Sequence, residues 1–341
     1  MKKITYKSSG VDIDVANSTK KNMAKHVNKG FSINKLGAFA SLIDFGLTKY
    51  KDPIIVMKTE EPGSKQKLAL DRNSVKSISY DMINHLINDI VVMGAKPIAV
   101  QDAIICGKIE PHTVTEIVKY IAEACEKQNC FLVGGETSEQ PGVLQKGDYV
   151  LTSSIIGVVE REDIIDGSKI FAKNKILALA SNGIHTNGYT LLRSLIRNNE
   201  NIISEQIEGE NFIDIILKPH TCYNTILQKS FPFKNIYGLA HITGGGIKDN
   251  LERILPGNID AHIDLSKIKL LEIFRFIKDE ANISWEEMLK TFNCGVGLIA
   301  VVDEKIANKI IDIAKQNNID AYEIGEANTG TGKVLFSNFL N

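Results

Sequence analysis

The sequence predicts a mixed α/β fold built as two domains, and three observations predict it. Short apolar runs alternate with stretches of helical apolar spacing along most of the chain. The alternation is interrupted once, by the charged and turn-rich "REDIIDGSKI" (161–170), and then restarts. In the second half, glycine-rich loops twice join the end of a strand to the start of a helix. The boundary is therefore expected near residue 168, giving domains 1–168 and 169–341. A chain of 341 residues has the length of one large or two medium domains.

The elements follow in order. Residues 1–50 read as irregular or helical, with Gly37 inside "NKLGAFASLIDFGL". "PIIVMKT" (53–59) is β-branched and apolar, a strand. "YDMINHLINDIVVMGAKP" (80–97) has helical apolar spacing and a stop at Gly94, with Pro97 beyond it. "PIAVQDAIIC" (97–106) is a strand. "PHTVTEIVKYIAEACEKQN" (111–129) is a helix with Pro111 in its first turn. "CFLVGGE" is a short strand running into glycines, and "DYVLTSSIIGVVERE" a longer one. In the second half "KILALAS", "NIYGLAHI" and "GVGLIAVVD" read as strands, and "YTLLRSLIRN", "IKDNLERIL" and "EKIANKIIDIAKQNN" as helices. "IDAYEIGEA" is expected to be the final strand.

Composition excludes several classes of function. The chain is 43% hydrophobic and 24% charged with a formal net charge of -1, so nothing favours a nucleic-acid or membrane partner. No apolar run approaches the roughly 18 residues of a membrane span. The start, "MKKITYKSSGVDID", lacks the apolar stretch of a signal peptide. Five scattered cysteines without a CxxC pair suit buried thiols in a reducing cytoplasm.

The helix at 80–97 carries an unusual polar stripe. Met82, Ile83, Leu86, Ile87 and Ile90 crowd part of its circumference, yet Asp81, Asn84, His85, Asn88 and Asp89 are polar. Asp81 and Asp89 fall about 12 Å apart along one side. Such a stripe meets water, a partner or a ligand; a solvated face is the plain alternative. "TEEPGSKQKLA" (59–69) follows a strand and holds Gly63, Ser64, Lys65 and Lys67 without the GxxxxGK[ST] spacing of a P-loop. A lysine-bearing loop near two carboxylates suits a phosphate bound through Mg²⁺, which takes one or two carboxylates plus phosphate oxygens.

The two strand–loop–helix units of the second half share a design. One is "ASNGIHTNGYTLL" with His185, Asn187 and Gly188; the other is "LAHITGGGIKDN" with His241, Thr243, Gly244, Gly245 and Gly246. Glycines admit close approach of backbone N–H groups, and a helix start adds partial positive charge, a combination suited to phosphate. "GGETSEQPG" (134–142) is a third such loop, with Glu136 and Glu139 available to a metal or an amine, or to water.

The chain resembles the phosphoribosylformylglycinamidine cyclo-ligase (aminoimidazole ribonucleotide synthetase) family. The matching segments are "YKSSGVDID", "NDIVVMGAKP", "GGETSEQPG", "GVVEREDIIDGSKI", "NGIHTNGYTLLR", "GLAHITGGGIKDNLERILP" and "TFNCGVGLIAVV", almost end to end. The resemblance implies an aminoimidazole ribonucleotide synthetase-like fold, with an ATP-binding and dimerising domain over 1–168 and a substrate-side domain over 169–341. The sheets of two first domains would pair into a barrel across a homodimer. The implied reaction is the ATP-dependent closure of formylglycinamidine ribonucleotide to aminoimidazole ribonucleotide in purine synthesis, in the cytoplasm, with Mg²⁺.

By position, the resemblance makes Asp89 and Glu60 magnesium ligands, with Asn88 beside Asp89. Gly37, Glu60, Gly63, Ser64, Lys65, Asp81 and Glu136 would bind the nucleotide. Asn187, Gly188, Thr243 and Gly244 to Gly246 would hold the substrate, and His185, His241 and Asp102 are the candidate catalytic residues. The chain departs from the family pattern in places. Thr-Asp-Gly-Val-Gly-Thr-Lys is here Thr59-Glu60-Glu61-Pro62-Gly63-Ser64-Lys65, and Gly-Gly-Phe-Gly is Gly37-Ala38-Phe39-Ala40. Asp-Tyr-Asp is Asp148-Tyr149-Val150, and Pro-Thr-Arg is Pro219-His220-Thr221. The alternative to an active ligase is a catalytically impaired paralogue that keeps the dimeric scaffold as a binding or regulatory protein.

Overall fold

A computed structural model describes residues 10, 12–28, 30, 32–34, 40–44 and 46–340 of the chain. It divides into two units: Met1–Ile87 with Lys96–Glu160, and Asn88–Ala95 with Arg161–Asn341.

In the first unit a helix, α1 (Ile13–Met23), starts where Asp12 accepts hydrogen bonds from the N–H groups of Asp14 and Val15. It is followed by β1 (Pro53–Glu60), α2 (Lys65–Asp71), α3 (Val75–Val91), β2 (Lys96–Cys106), α4 (Pro111–Lys127), β3 (Phe131–Glu139) and β4 (Tyr149–Glu160). The sheet order is β1-β4-β2-β3, with β4 antiparallel to both its neighbours and β2 parallel to β3. In α4, Val114, Ile117, Val118, Ile121, Ala122 and Cys125 recur at helical spacing and are all buried. In α3, Ile78, Met82, Ile83, Leu86 and Ile87 are fully buried. The Lys65–Ala69 stretch, read from sequence as part of a loop, is the first turn and a half of α2.

The second unit holds β5 (Lys175–Ala180), α5 (Tyr189–Asn198), the two-residue strands β6 (Gln206–Ile207) and β7 (Glu210–Asn211), α6 (Phe212–Ile216) and α7 (Asn224–Ser230). After these come β8 (Ile236–His241), α8 (Gly246–Glu252), β9 (Ile259–Asp264), α9 (Glu272–Ala281) and α10 (Trp285–Thr291). The chain finishes with β10 (Val296–Val302), α11 (Glu304–Gln316), β11 (Ala321–Thr329) and β12 (Val334–Ser337). Its six-stranded sheet has the order β12-β9-β11-β5-β10-β8, antiparallel except for the β12–β9 pair. All seven residues of β10 are buried, as in a strand covered on both faces. "IDAYEIGEA" is therefore not the last strand. β12 follows it, four residues long with three exposed, too short to announce itself by alternation. β9 also escaped the sequence reading, because Asp260, His262 and Asp264 interrupt its apolar pattern.

Candidate active site

The polar stripe on α3 is not a solvated face. Asp81 and Asn88 are 0% exposed, and Asn84 and His85 7%. Within the first unit, Asp81 is paired with Lys65 at 2.8 Å, both side chains being fully buried. Burial pushes the Lys65 ammonium down, and the Asp81 carboxylate opposes that shift. Lys67, two residues on, is instead a surface residue paired with Asp71 at 2.6 Å. His85 places Nε2 3.9 Å from a carboxylate oxygen of Glu60, and the same oxygen lies 2.9 Å from Lys58 Nζ.

Strand register aligns the other first-unit candidates. Glu60 on β1 lies opposite Ser153 on β4, which lies opposite Asp102 on β2, which lies opposite Gly135 on β3. Residues directly opposite each other in antiparallel strands share a face, so Glu60, Ser153 and Asp102 form one polar row. Gly135 is needed there: a Cβ on it would stand 1.8 Å from Asp102 Oδ1. Burial pushes the Asp102 carboxyl up to about 7. The buried Ser153 hydroxyl has no hydrogen-bond partner among the described residues. All side-chain donor atoms of the row are oxygens, the ligand type Mg²⁺ takes, and the Glu60 end of it is already paired with Lys58. Glu136, one step along β3, is exposed and accepts from the N–H of Thr137. Gly63 has φ 63° and turns the chain from β1 into α2. Glu139 accepts from the N–H of Ile109, and Gly37 lies outside the described residues.

In the second unit, the end of α3 meets a cluster of histidines. Asn88 accepts from the N–H of Tyr223 at 2.9 Å and donates to the carbonyl of Thr221 at 2.8 Å, which tethers the 219–223 segment. Asp89 Oδ1 lies 2.7 Å from Nδ1 of His241, the last residue of β8. His220 Nε2 lies 2.9 Å from His241 Nε2, and Thr186 Oγ1 lies 3.4 Å from His220 Nδ1. His185 stacks on His220 with ring centroids 3.8 Å apart. His185, His220 and His241 are all buried.

Small residues and one amide build the frame. Gly297 on β10 leaves room for two of these side chains, since a Cβ there would lie 1.9 Å from the Tyr223 hydroxyl and 2.7 Å from the His185 ring. The Asn293 amide donates to the carbonyls of Gly183 and Ile184 and so pins the loop that carries His185, itself at φ 61°. Asn250 on α8 donates to the carbonyls of Gly244 and Gly246 and accepts from the Thr243 hydroxyl. The two glycine loops are neighbours, for a Cβ on Gly244 would meet Asn187 Oδ1 at 3.4 Å. Gly188, at φ 80°, packs so closely on Phe292 that a side chain is excluded.

The structure thus brings His185 and His241 together, and places Asn187 beside Gly244 and Glu60 in one row with Asp102. It does not present Lys65 or Asp81 to solvent. Sequence reading missed His220 and Thr186 as members of the cluster. His220 stood out only as a departure beside Pro219, because no spacing rule links residues 186, 220 and 241.

Among the described residues no helix is long and apolar enough to cross a membrane. Residues 43–159 match the N-terminal domain, and residues 172–337 the C-terminal domain, of the family described as AIR synthase related protein. A phosphoribosylformylglycinamidine cyclo-ligase of Neisseria meningitidis serogroup C is 36% identical over 326 residues, 94% of each chain. The corresponding protein of Staphylococcus carnosus is likewise 36% identical over 326 residues, again 94% of this chain. Among solved structures, the hydrogenase maturation protein HypE in complex with ATP is similar with TM-score 0.69 at 17% identity, covering 96% of this chain and 92% of its own. At that identity the likeness is one of fold.

Proposed function

The chain belongs to the phosphoribosylformylglycinamidine cyclo-ligase family of AIR synthase related proteins, and on that premise we propose that it closes the imidazole ring of aminoimidazole ribonucleotide in purine synthesis. The observation that carries the reading is the likeness to a cyclo-ligase over 94% of both chains. The amide oxygen of formylglycinamidine ribonucleotide takes the terminal phosphoryl group of ATP. An amidine nitrogen then bonds to that carbon and loses a proton, and the oxygen leaves as phosphate. An amide oxygen leaves poorly and a phosphate well, so the protein's work is positioning and charge stabilisation.

We assign the nucleotide to the first unit, where Mg²⁺ would be held by Glu60 with Asp102 and Ser153 beside it, neutralising phosphate charge. Lys65 and Asp81, being fully buried, would brace the nucleotide loop from beneath rather than touch phosphate. Asp89 stays a proposed magnesium ligand, with one oxygen already engaged by His241. In the second unit, Asn187 and the Thr243–Gly246 loop would hold the substrate, its ribose phosphate near the glycines. The division of labour between residues 1–168 and 169–341 is part of this proposal. So is a homodimer: β1 is an edge strand with Ile55 42% and Met57 73% exposed, and pairing with a second copy into a barrel would cover both. Five free cysteines suit a cytoplasmic location.

The test is stoichiometry. ADP release should require formylglycinamidine ribonucleotide and match aminoimidazole ribonucleotide formed, one to one. ATP hydrolysis that ignores the substrate, or none in its presence, sinks the proposal.

A further inference from the structure

Thr186, His220, His241 and Asp89 form an unbroken line of side chains in the second unit, at 3.4, 2.9 and 2.7 Å. The direction of its hydrogen bonds follows from one end. A carboxylate has no proton to give, so Nδ1–H of His241 donates to Asp89. For neutral rings, which carry one proton each, Nε2 of His241 is then an acceptor. His220 Nε2 is the atom 2.9 Å away, so it supplies the proton of that contact. That leaves His220 Nδ1 as an acceptor, and the Thr186 hydroxyl donates to it. Asn88 presents its amide nitrogen 3.4 Å from the same Nε2 of His241, a second donor to one lone pair.

We infer that His220 is a positioning residue: it holds His241 by its Nε2, removes that nitrogen from proton transfer on the substrate, and through His241 sets the glycine loop that begins two residues later. His220 is itself held from two sides, by Thr186 and by the stacked ring of His185, whose plane lies 23° from its own. It is 1% exposed, so its N–H is shielded from bulk solvent. His241 is the final residue of β8, and Thr243 to Gly246 follow it after the single residue Ile242. A ring held in place at His241 therefore fixes the end of β8 from which the loop departs. His241, offered by sequence as a proton-transfer group, becomes the anchor of a binding loop. This consequence for catalysis rests on the ring-closure reading; the hydrogen-bond assignment does not.

Two measurements test it. In the ¹⁵N-histidine-labelled protein, His241 should be protonated at Nδ1 and bare at Nε2, and His220 protonated at Nε2, with His220→Phe supplying the resonance assignment. In steady-state kinetics, His220→Phe fills the volume without the donor and should raise KM for formylglycinamidine ribonucleotide about tenfold while kcat changes less than about threefold. His220→Gln returns an N–H near the position of Nε2 and should recover most of that loss. A fold defect alone would lower the active fraction and leave KM unmoved. His241 protonated at Nε2 or at both nitrogens, a KM unchanged in His220→Phe, or no recovery in His220→Gln overturns the inference. If the parent protein closes no ring, the ring-closure reading fails by itself and the spectrum alone decides the hydrogen-bond assignment.

Discussion

Replacing Lys65 by methionine keeps most of the side chain's length and removes its charge, which takes from the fully buried Asp81 carboxylate the cation it is paired with. At 2.8 Å the pair attracts by about 6 kcal/mol with an effective dielectric of 20. Desolvating two ions costs several kcal/mol each, so the intact pair is worth little net. Losing one partner forfeits the attraction but leaves the desolvation of the other, a cost of about 3–5 kcal/mol. At roughly 3 °C per kcal/mol for a unit of this size, Lys65→Met should melt about 10 °C or more below the parent. The double variant Lys65→Met with Asp81→Leu removes both charges and should regain most of the loss, within about 2 kcal/mol of the parent. Calorimetric melting and urea midpoints at pH 7.5 measure both. A single variant that melts within a degree or two of the parent would refute the reasoning, because Asp81 would then be reached by water or satisfied without Lys65. A double variant no better than the single would locate the cost in shape rather than charge.

Three further predictions follow from the same unit. Asp102 has its carboxyl raised to about 7 against an ordinary 3.8, so the folded chain holds a proton that the unfolded chain has released. That contribution is fully present below about pH 4 and is lost as pH rises to about 7, up to roughly 4 kcal/mol for a shift of about three units. Asp102→Asn should therefore gain on the parent in urea midpoint between pH 4 and pH 7, and a constant difference across that range would exclude the buried carboxyl. Glu60→Asp with Glu61→Gly restores the family's loop and should tighten Mg²⁺–ATP at least about fivefold, or about 1 kcal/mol, by titration calorimetry; unchanged affinity would place the nucleotide away from residues 59–65. Met57→Lys puts a charge on the exposed edge strand and should shift light-scattering mass toward the 37.6 kDa monomer, whereas an unaltered dimer would acquit this face.

Much of the local structure was legible in the residues themselves. The helical spacing of Val114, Ile117, Val118, Ile121 and Cys125 and the first-turn Pro111 announce α4, and "YTLLRSLIRN" is α5 to the residue. The string of motifs from "GGETSEQPG" to "TGGGIKDN" was enough to indicate the family, and with it the fold of both units. These are properties of short windows, where apolar period, glycine and proline act on neighbours a few residues away. Side-chain partnerships across the chain are another matter. That Lys65 points inward to Asp81, rather than outward to a phosphate, depends on how α2 packs against α3. The row from Glu60 to Asp102 exists only through the register of β1, β4 and β2, where a slip of one residue would put each side chain on the opposite face. His220 meets His241 and Thr186 because β8, the 219–223 segment and the His185 loop converge, and Gly297 leaves the space for them to do so. Sequence determined which groups this protein has and which local elements carry them; tertiary packing decided which are dry, which are paired and which proton each ring can give, because those depend on distances between residues far apart in the chain.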